Sequence, residues 1–274
     1  MPRSRPTGRR GSTCCPARVG ILSGLLRDVG AALGSRFGRT ARHCYARARW
    51  ARDLPALATY FGTDKWNAHW YAQHYQTHFA ALRRKPLRLL EIGVGGYGDP
   101  RSGGESLRMW KAYFPNALIY GLDVTDKRPH DEPRIRTLLG SQDDEELLKK
   151  ISAEHGPFDL IIDDGSHINA HILKSFRVLF PLLSENGLYV VEDTQTAYWP
   201  DFGGAPPGEH GAPTSMNVLK GLVDGLNHRE VPRGPEFAPS YLERHIVAMH
   251  FYHNLVFVQK GVNDELSNIL DDPR

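Results

Sequence analysis

Beyond Cys44 the sequence contains no cysteine, and all three cysteines, Cys14, Cys15 and Cys44, lie within the first 52 of 274 residues. A disulfide framework and a thiolate metal site are therefore excluded from residues 53–274, as expected of a chain working in a reducing cytoplasm. Those first 52 residues in turn lack lysine: 12 Arg stand against one acid, Asp28. No apolar run approaches the ~20 residues that span a bilayer. Nor is there an uninterrupted apolar stretch with a small-residue cleavage pattern, which argues against a secretory signal. No internal repeat is visible.

The N-terminal segment, residues 1–52, reads as an Arg-rich, partly disordered extension. Within it Ile21, Leu22, Leu25, Leu26, Val29 and Leu33 recur at helical spacing, which predicts an amphipathic helix. Docking on a partner or a membrane surface, a transit peptide, and a plain tail are the open readings. Residues 53–274 carry 22 basic and 30 acidic side chains, a balance of −8 that the whole-chain value of +3 conceals. An acidic body does not suit a nucleic-acid partner.

That body alternates strand and helix patterns. Apolar runs at 87–94, 117–123, 134–140, 158–162 and 187–193 are separated by helical patterns at 103–114, 142–156 and 168–183. Continuous apolar strands linked by helices predict an α/β fold, a parallel sheet with helices on both faces. Two further strands, 245–252 and 255–261, predict a terminal antiparallel hairpin. Between the fifth strand and that hairpin, residues 195–242 read as a lid over an acceptor.

In open α/β sheets ligands sit at the carboxyl ends of the strands. The first strand ends in Glu91-Ile-Gly93-Val-Gly95-Gly96-Tyr97-Gly98. The G-x-G-x-x-G within it is a weak dinucleotide signal, and an NAD(P)-dependent oxidoreductase is the alternative it raises. Asp99-Pro100 follows, so no helix N-terminus meets a pyrophosphate there. An acid before a glycine-rich turn suits a ligand with an amino group and no phosphate, such as S-adenosylmethionine. Asp123, after the second strand, is placed to accept from ribose hydroxyls. Gly140, Ser141 and Gln142 follow the third strand; an adenine contact and a helix cap at Ser141 are equally open readings.

The fourth strand ends in Asp163, Asp164 and, after a glycine and a serine, His167. The fifth ends in Glu192 and Asp193. As neighbours in the sheet, these strands would bring Asp164, Glu192 and Asp193 to one rim. Three carboxylates with no Lys or Arg near in sequence call for a hard divalent cation such as Mg2+. His167 beside them is a candidate general base. Tyr198 and Trp199 are candidates for stacking on a sugar ring, against ordinary packing as the other reading. His74 and His78, at i, i+4, lack a third ligand in reach, so residues 60–79 are expected to form an aromatic cover over the cofactor.

The stretches GTDKWNAHWY, LLEIGVGGYGDPRSGGESLRMWK, IYGLDVTDK, GSQDD, FDLIIDDGSH and GLYVVEDTQTAYW resemble the class I S-adenosylmethionine-dependent methyltransferases, in particular the metal-dependent sugar O-methyltransferases of macrolide deoxysugars and of mycobacterial methylmannose polysaccharide. The resemblance implies a Rossmann-like seven-stranded sheet and methyl transfer to a sugar hydroxyl. It implies Mg2+ at Asp164, Glu192 and Asp193, with His167 as base. It implies cofactor contacts from Glu91, Gly93, Gly95, Tyr97, Ser106, Asp123, Gly140 and Ser141; Gln142 and Asp163 are counted with them. A sugar-containing acceptor and a homo-oligomer are the expected partners. A non-catalytic cofactor-binding scaffold is the second alternative.

Overall fold

The structure is a computed structural model that describes residues 35–231 and 236–267. The helix expected over residues 21–33 lies outside them. By internal contacts the chain divides into residues 1–49 and 50–274. The described part of the first is α1, Ser35–Trp50, which ends one residue into the second.

Residues 50–274 hold one sheet of seven strands: β1 Arg88–Ile92, β2 Leu118–Asp123, β3 Ile135–Leu139, β4 Leu160–Asp163, β5 Leu188–Glu192, β6 Ile246–Tyr252 and β7 Leu255–Lys260. Their order is β3-β2-β1-β4-β5-β7-β6. The first five are parallel, and β7 and β6 complete the sheet antiparallel. The expected architecture is thus present, and the strand order reverses between β1 and β4, where ligands bind in such sheets.

Both faces are covered, which is why the central strands read as unbroken apolar runs. On one face Leu90, Ile92, Ile161, Tyr189 and Val191 pack with Leu148 and Ile151 of α5 (Glu145–His155), Phe176, Leu179 and Phe180 of α6 (Asn169–Leu182), and Leu219 of α7 (Ser215–Gly225). The other face lies under α2 (Leu54–Phe61), α3 (Ala72–Phe79) and α4 (Glu105–Tyr113). There Tyr75, Phe79, Trp110 and Phe257 form an aromatic core, with ring centroids 5.0 Å apart for Tyr75–Trp110 and 5.3 Å for Tyr75–Phe257. Such tilted ring pairs add to what area burial alone supplies.

Element ends follow local chemistry. The helical pattern at 142–156 starts at Glu145, and its cap is Asp144, whose carboxylate accepts from Leu147 N at 3.0 Å. Ser141 is therefore not that cap; its hydroxyl accepts from Asp143 N at 3.1 Å in the preceding turn. Residues 195–242 contain two short 3-10 turns, Thr194–Tyr198 and Pro200–Phe202, then α7 and α8 (Tyr241–His245), the latter opened by a capping box between Ser240 and Glu243. Among the described residues no helix is long and apolar enough to cross a membrane.

Candidate active site

The loop after β1 folds back on itself before α4 begins. Gly93 has φ +90°, and a Cβ there would lie 2.0 Å from the carbonyl oxygen of Asp164, so the β1 and β4 loops touch backbone to backbone. At Gly103, φ +96°, a Cβ would meet the carbonyls of Val94 and Gly95 at 2.5 and 2.4 Å. Only glycine tolerates either position. Lys127, buried after β2, donates its ammonium to the carbonyls of Tyr97, Asp99 and Ser102 at 2.7–3.1 Å and holds the outer part of the loop. Because α4 starts only at Glu105, the glycines do not run straight into a helix as they do in a dinucleotide-binding turn, and the oxidoreductase alternative finds no support.

Strand pairing sets the acids. β4 and β5 are direct neighbours, with Asp163 opposite Val191, so Asp164, Glu192 and Asp193 leave the sheet side by side. Two overlapping groups result, each with donor atoms within 4.8 Å of one another: Asp164, His167 and Asp193; and Glu91, Asp164 and Glu192. His167 Nε2 is 3.7 Å from Asp193 Oδ2 and 4.0 Å from Asp164 Oδ1. His167 and Asp193 both have positive φ, +57° and +51°, a strained backbone of the kind that concentrates at functional sites.

The second group encloses a lysine, and here the sequence expectation needs correction. Lys65 precedes α3 and is fully buried, with Nζ 2.6 Å from Glu192 Oε1, 2.7 Å from Asp164 Oδ2 and 3.2 Å from Glu91 Oε1. The acidic rim is therefore not without a positive partner; that partner lies 99 and 127 residues from the acids it touches. Burial alone would push the Lys65 ammonium down, but Asp164, Glu192 and Glu91 outweigh it and hold the group charged, well above the usual lysine range. Glu192 is pushed well up, first by burial and then by Asp164, with Lys65 opposing. Glu91 is raised by burial, against Lys65.

Residues 60–79 were expected only to cover the cofactor, yet their polar groups also furnish the rim. Tyr71 donates to Asp193 Oδ1 and Tyr75, one helical turn on, donates to Glu192 Oε1, both at 2.5 Å. His69 Nδ1 lies 3.8 Å from Asp193 Oδ1. The i, i+4 tyrosines were the available sequence signal, but nothing local says which strand end they meet. His74 and His78 face away from this site: His74 stacks on Tyr252 at 3.8 Å, and His78 Nε2 lies 3.0 Å from the Tyr252 hydroxyl.

No family model matches the chain. It is 51% identical over 214 residues to the mycinamicin VI 2''-O-methyltransferase of Micromonospora griseorubida, covering 78% of this chain and 54% of that protein. A crystal structure of the mycinamicin-pathway methyltransferase MycE with Mg and SAH is 44% identical, covers 99% of this chain and 69% of that one, and superposes with a TM-score of 0.79. The chain belongs to the sugar O-methyltransferase family. A second MycE structure, with Mg, SAH and mycinamicin VI, is 50% identical over 81% of this chain and 57% of that one, with a TM-score of 0.76. The chain spans about half the length of the curated relatives it matches.

Within this sugar O-methyltransferase fold, several expected cofactor residues line the mouth of the β1 loop. Glu91 accepts from the Ser106 hydroxyl at 2.7 Å. Asp123 accepts from Val94 N at 3.0 Å and Thr125 N at 2.8 Å, each oxygen keeping a free lone pair. Tyr97, at φ +47°, is 95% exposed, and Val124 and Leu139 are exposed at the ends of β2 and β3, an open apolar rim beside the polar groups. Gly140, at φ +152°, packs where a Cβ would strike Leu147.

Asp163 and Gln142 depart from the expectation. Asp163 is buried, and its carboxylate accepts from Gln142 Nε2, Ser175 Oγ and Tyr189 OH. Gln142 Oε1 accepts from Ser166 N at 2.7 Å. Both side chains join the β3 and β4 loops to α6. The three expected cation ligands also divide: Glu192 turns toward Lys65 and Tyr75, while Asp193 turns toward Tyr71 and His167. Tyr198 and Trp199, at the end of the first 3-10 turn, are 38% and 49% exposed. Buried Asn169 pins that turn: its Nδ2 donates to the carbonyls of Thr196 and Phe202, and its Oδ1 accepts from Ser215 N.

The residues present fit both groups the fold implies. Gly93 and Gly103 let the β1 loop fold tightly beside the acids Glu91 and Asp123, acceptors suited to the amino group and ribose hydroxyls of a nucleoside with an amino-acid tail. The rim offers two overlapping donor sets that share Asp164, one with His167 and Asp193 and one with Glu91 and Glu192, and their carboxylate oxygens suit a hard divalent cation.

Proposed function

We propose that this protein transfers the methyl group of S-adenosylmethionine to a hydroxyl of a sugar carried by a macrolide-type or other glycoside, in a reaction that needs a divalent cation, Mg2+ by preference. The convergence of Asp164, His167 and Asp193 beside the glycine-rich β1 loop carries the reading. The relatives named above support it, because one is a 2''-O-methyltransferase of mycinamicin VI and another is a complex with Mg, SAH and that glycoside.

Glu91, Gly93, Gly95, Tyr97, Ser106, Asp123, Gly140 and Ser141 receive the donor, while Asp164, Asp193 and Glu192 hold the cation. When bound, the cation acidifies a sugar hydroxyl and the sulfonium presents an activated methyl group. His167 accepts the hydroxyl proton at Nε2 as the oxygen becomes nucleophilic; a neutral imidazole suits that task near neutral pH. His167 is assigned as base and not ligand because a hard cation prefers oxygen. Tyr198 and Trp199 offer flat faces to the sugar, and the lid excludes water from the donor.

Labelled-methyl transfer from S-adenosylmethionine over a panel of glycosides, with Mg2+ or with EDTA, tests the reading. Transfer to at least one glycoside that stops on chelation, and in Asp164→Ala, is expected. Full transfer in EDTA, or none to any glycoside while SAH still binds, refutes it.

A further inference from the structure

The carboxylates of Glu91, Asp164, Glu192 and Asp193 crowd one end of the sheet, and one ammonium is buried among them. Lys65 is sealed from solvent and its Nζ meets three carboxylate oxygens at 2.6–3.2 Å. Its chain position adds to this. Lys65 sits in the turn before α3, whose Tyr71 and Tyr75 fasten Asp193 and Glu192, so one short segment supplies every neutral and positive group on the acids from that side.

We propose that Lys65 is a tethered stand-in for the divalent cation: it holds the rim acids together between cation-binding events and competes with the cation for Asp164 and Glu192. The inference rests on the cation-dependent reading above. Glu91 completes the device. It is the one carboxylate of the three that lies on the donor side of the site, and it leaves the ammonium a partner when a cation claims the other two. Lys65 is thus a positioning residue that sets how strongly the cation binds and keeps the unloaded protein folded. Without it, buried like charges would repel at short range with nothing to offset them.

The test compares wild type, Lys65→Arg, Lys65→Met and the double variant Lys65→Met/Glu91→Gln, the last removing one charge of each sign. Thermal unfolding is followed in EDTA and in saturating Mg2+, and Mg2+ binding is measured by calorimetry without SAH. Lys65→Met is expected to melt below wild type in EDTA, with Mg2+ recovering most of the difference, while wild type shifts little. The double variant is expected to bind Mg2+ about tenfold more tightly than wild type, because a like charge a few ångströms from a divalent ion has been removed. Lys65→Arg is expected to stay within about threefold of wild-type Mg2+ affinity by the same argument.

A merely structural lysine would lower the melting temperature equally with and without Mg2+, and that result overturns the proposal. So does a double variant that binds Mg2+ no more tightly than wild type; this measurement decides the matter if Lys65→Met does not fold. If wild type itself binds SAH but no divalent cation, the cation-dependent function falls and this proposal with it. If wild type binds both and the variants behave like wild type, the Lys65 assignment alone is wrong.

Discussion

The phenol of Tyr75 donates to Oε1 of Glu192 at 2.5 Å, both side chains buried, and so fastens α3 to the end of β5. With Lys65 on the same oxygen, Glu192 has two donors and no water to replace either. Burial and the neighbouring carboxylate push the Tyr75 phenol well up, so it stays a proton donor throughout the working pH range. Tyr75→Phe removes a hydrogen bond to a buried charge and should cost about 1–3 kcal/mol of stability, read by urea unfolding. A cost near zero would mean that Lys65 alone satisfies Glu192.

His167→Ala should lower the methyl-transfer rate by about 10²–10⁴-fold, the usual contribution of a positioned base. SAH affinity should be unchanged, because the charged neighbours of His167 are Asp164 and Asp193 of the cation rim. Rate and SAH titration together check this, and an equal loss in SAH binding would place His167 in the donor site instead.

Lys127→Met removes three hydrogen bonds from the carbonyls of Tyr97, Asp99 and Ser102. The loop should loosen, and the donor KM should rise by about tenfold for the loss of ~1.4 kcal/mol of loop order, with acceptor KM nearly unchanged. Steady-state kinetics against each substrate separates the two. A change confined to acceptor KM would contradict the assignment of this loop to the donor.

Asn169 acts on the other side. Its amide bonds both 3-10 turns of the 195–242 segment and the start of α7. Asn169→Ala should raise acceptor KM and leave SAH affinity intact, the reverse of Lys127→Met. Equal effects on both substrates would show that the segment is not specifically an acceptor lid.

The acid stability of the fold should depend on His78. Burial first, then His250 and His74, lower its imidazole from the usual 6.5 to about 4. The proton is therefore held more tightly by the unfolded chain. Stability from this group is complete above about pH 6.5 and drains as the pH falls toward 4. Melting temperatures across that window should fall less steeply in His78→Leu than in wild type, and parallel curves would remove His78 as the cause.

Much of this was legible from local pattern. The strand at 87–94 ends in glycines that the structure uses at positive φ, and the acids after β4 and β5 sit where neighbouring parallel strands must put them. The exchange of roles among polar residues was not legible. Asp163 and Asp164 are adjacent, yet one is spent on Gln142, Ser175 and Tyr189 and the other reaches the rim, because successive strand residues face opposite sides of the sheet. The pattern DD does not say which side will be lined by α6.

By itself the sequence determined the alternation of strand and helix, the glycine turn and the acidic strand ends, since apolar periodicity and glycine's backbone freedom act over a few residues. Only the tertiary structure decided that Lys65, Tyr71 and Tyr75 would neutralise and fasten acids 99 to 127 residues away. That pairing exists only once sheet order and helix packing have brought α3 over the ends of β4 and β5, and a buried charge takes whatever partner the completed fold sets beside it.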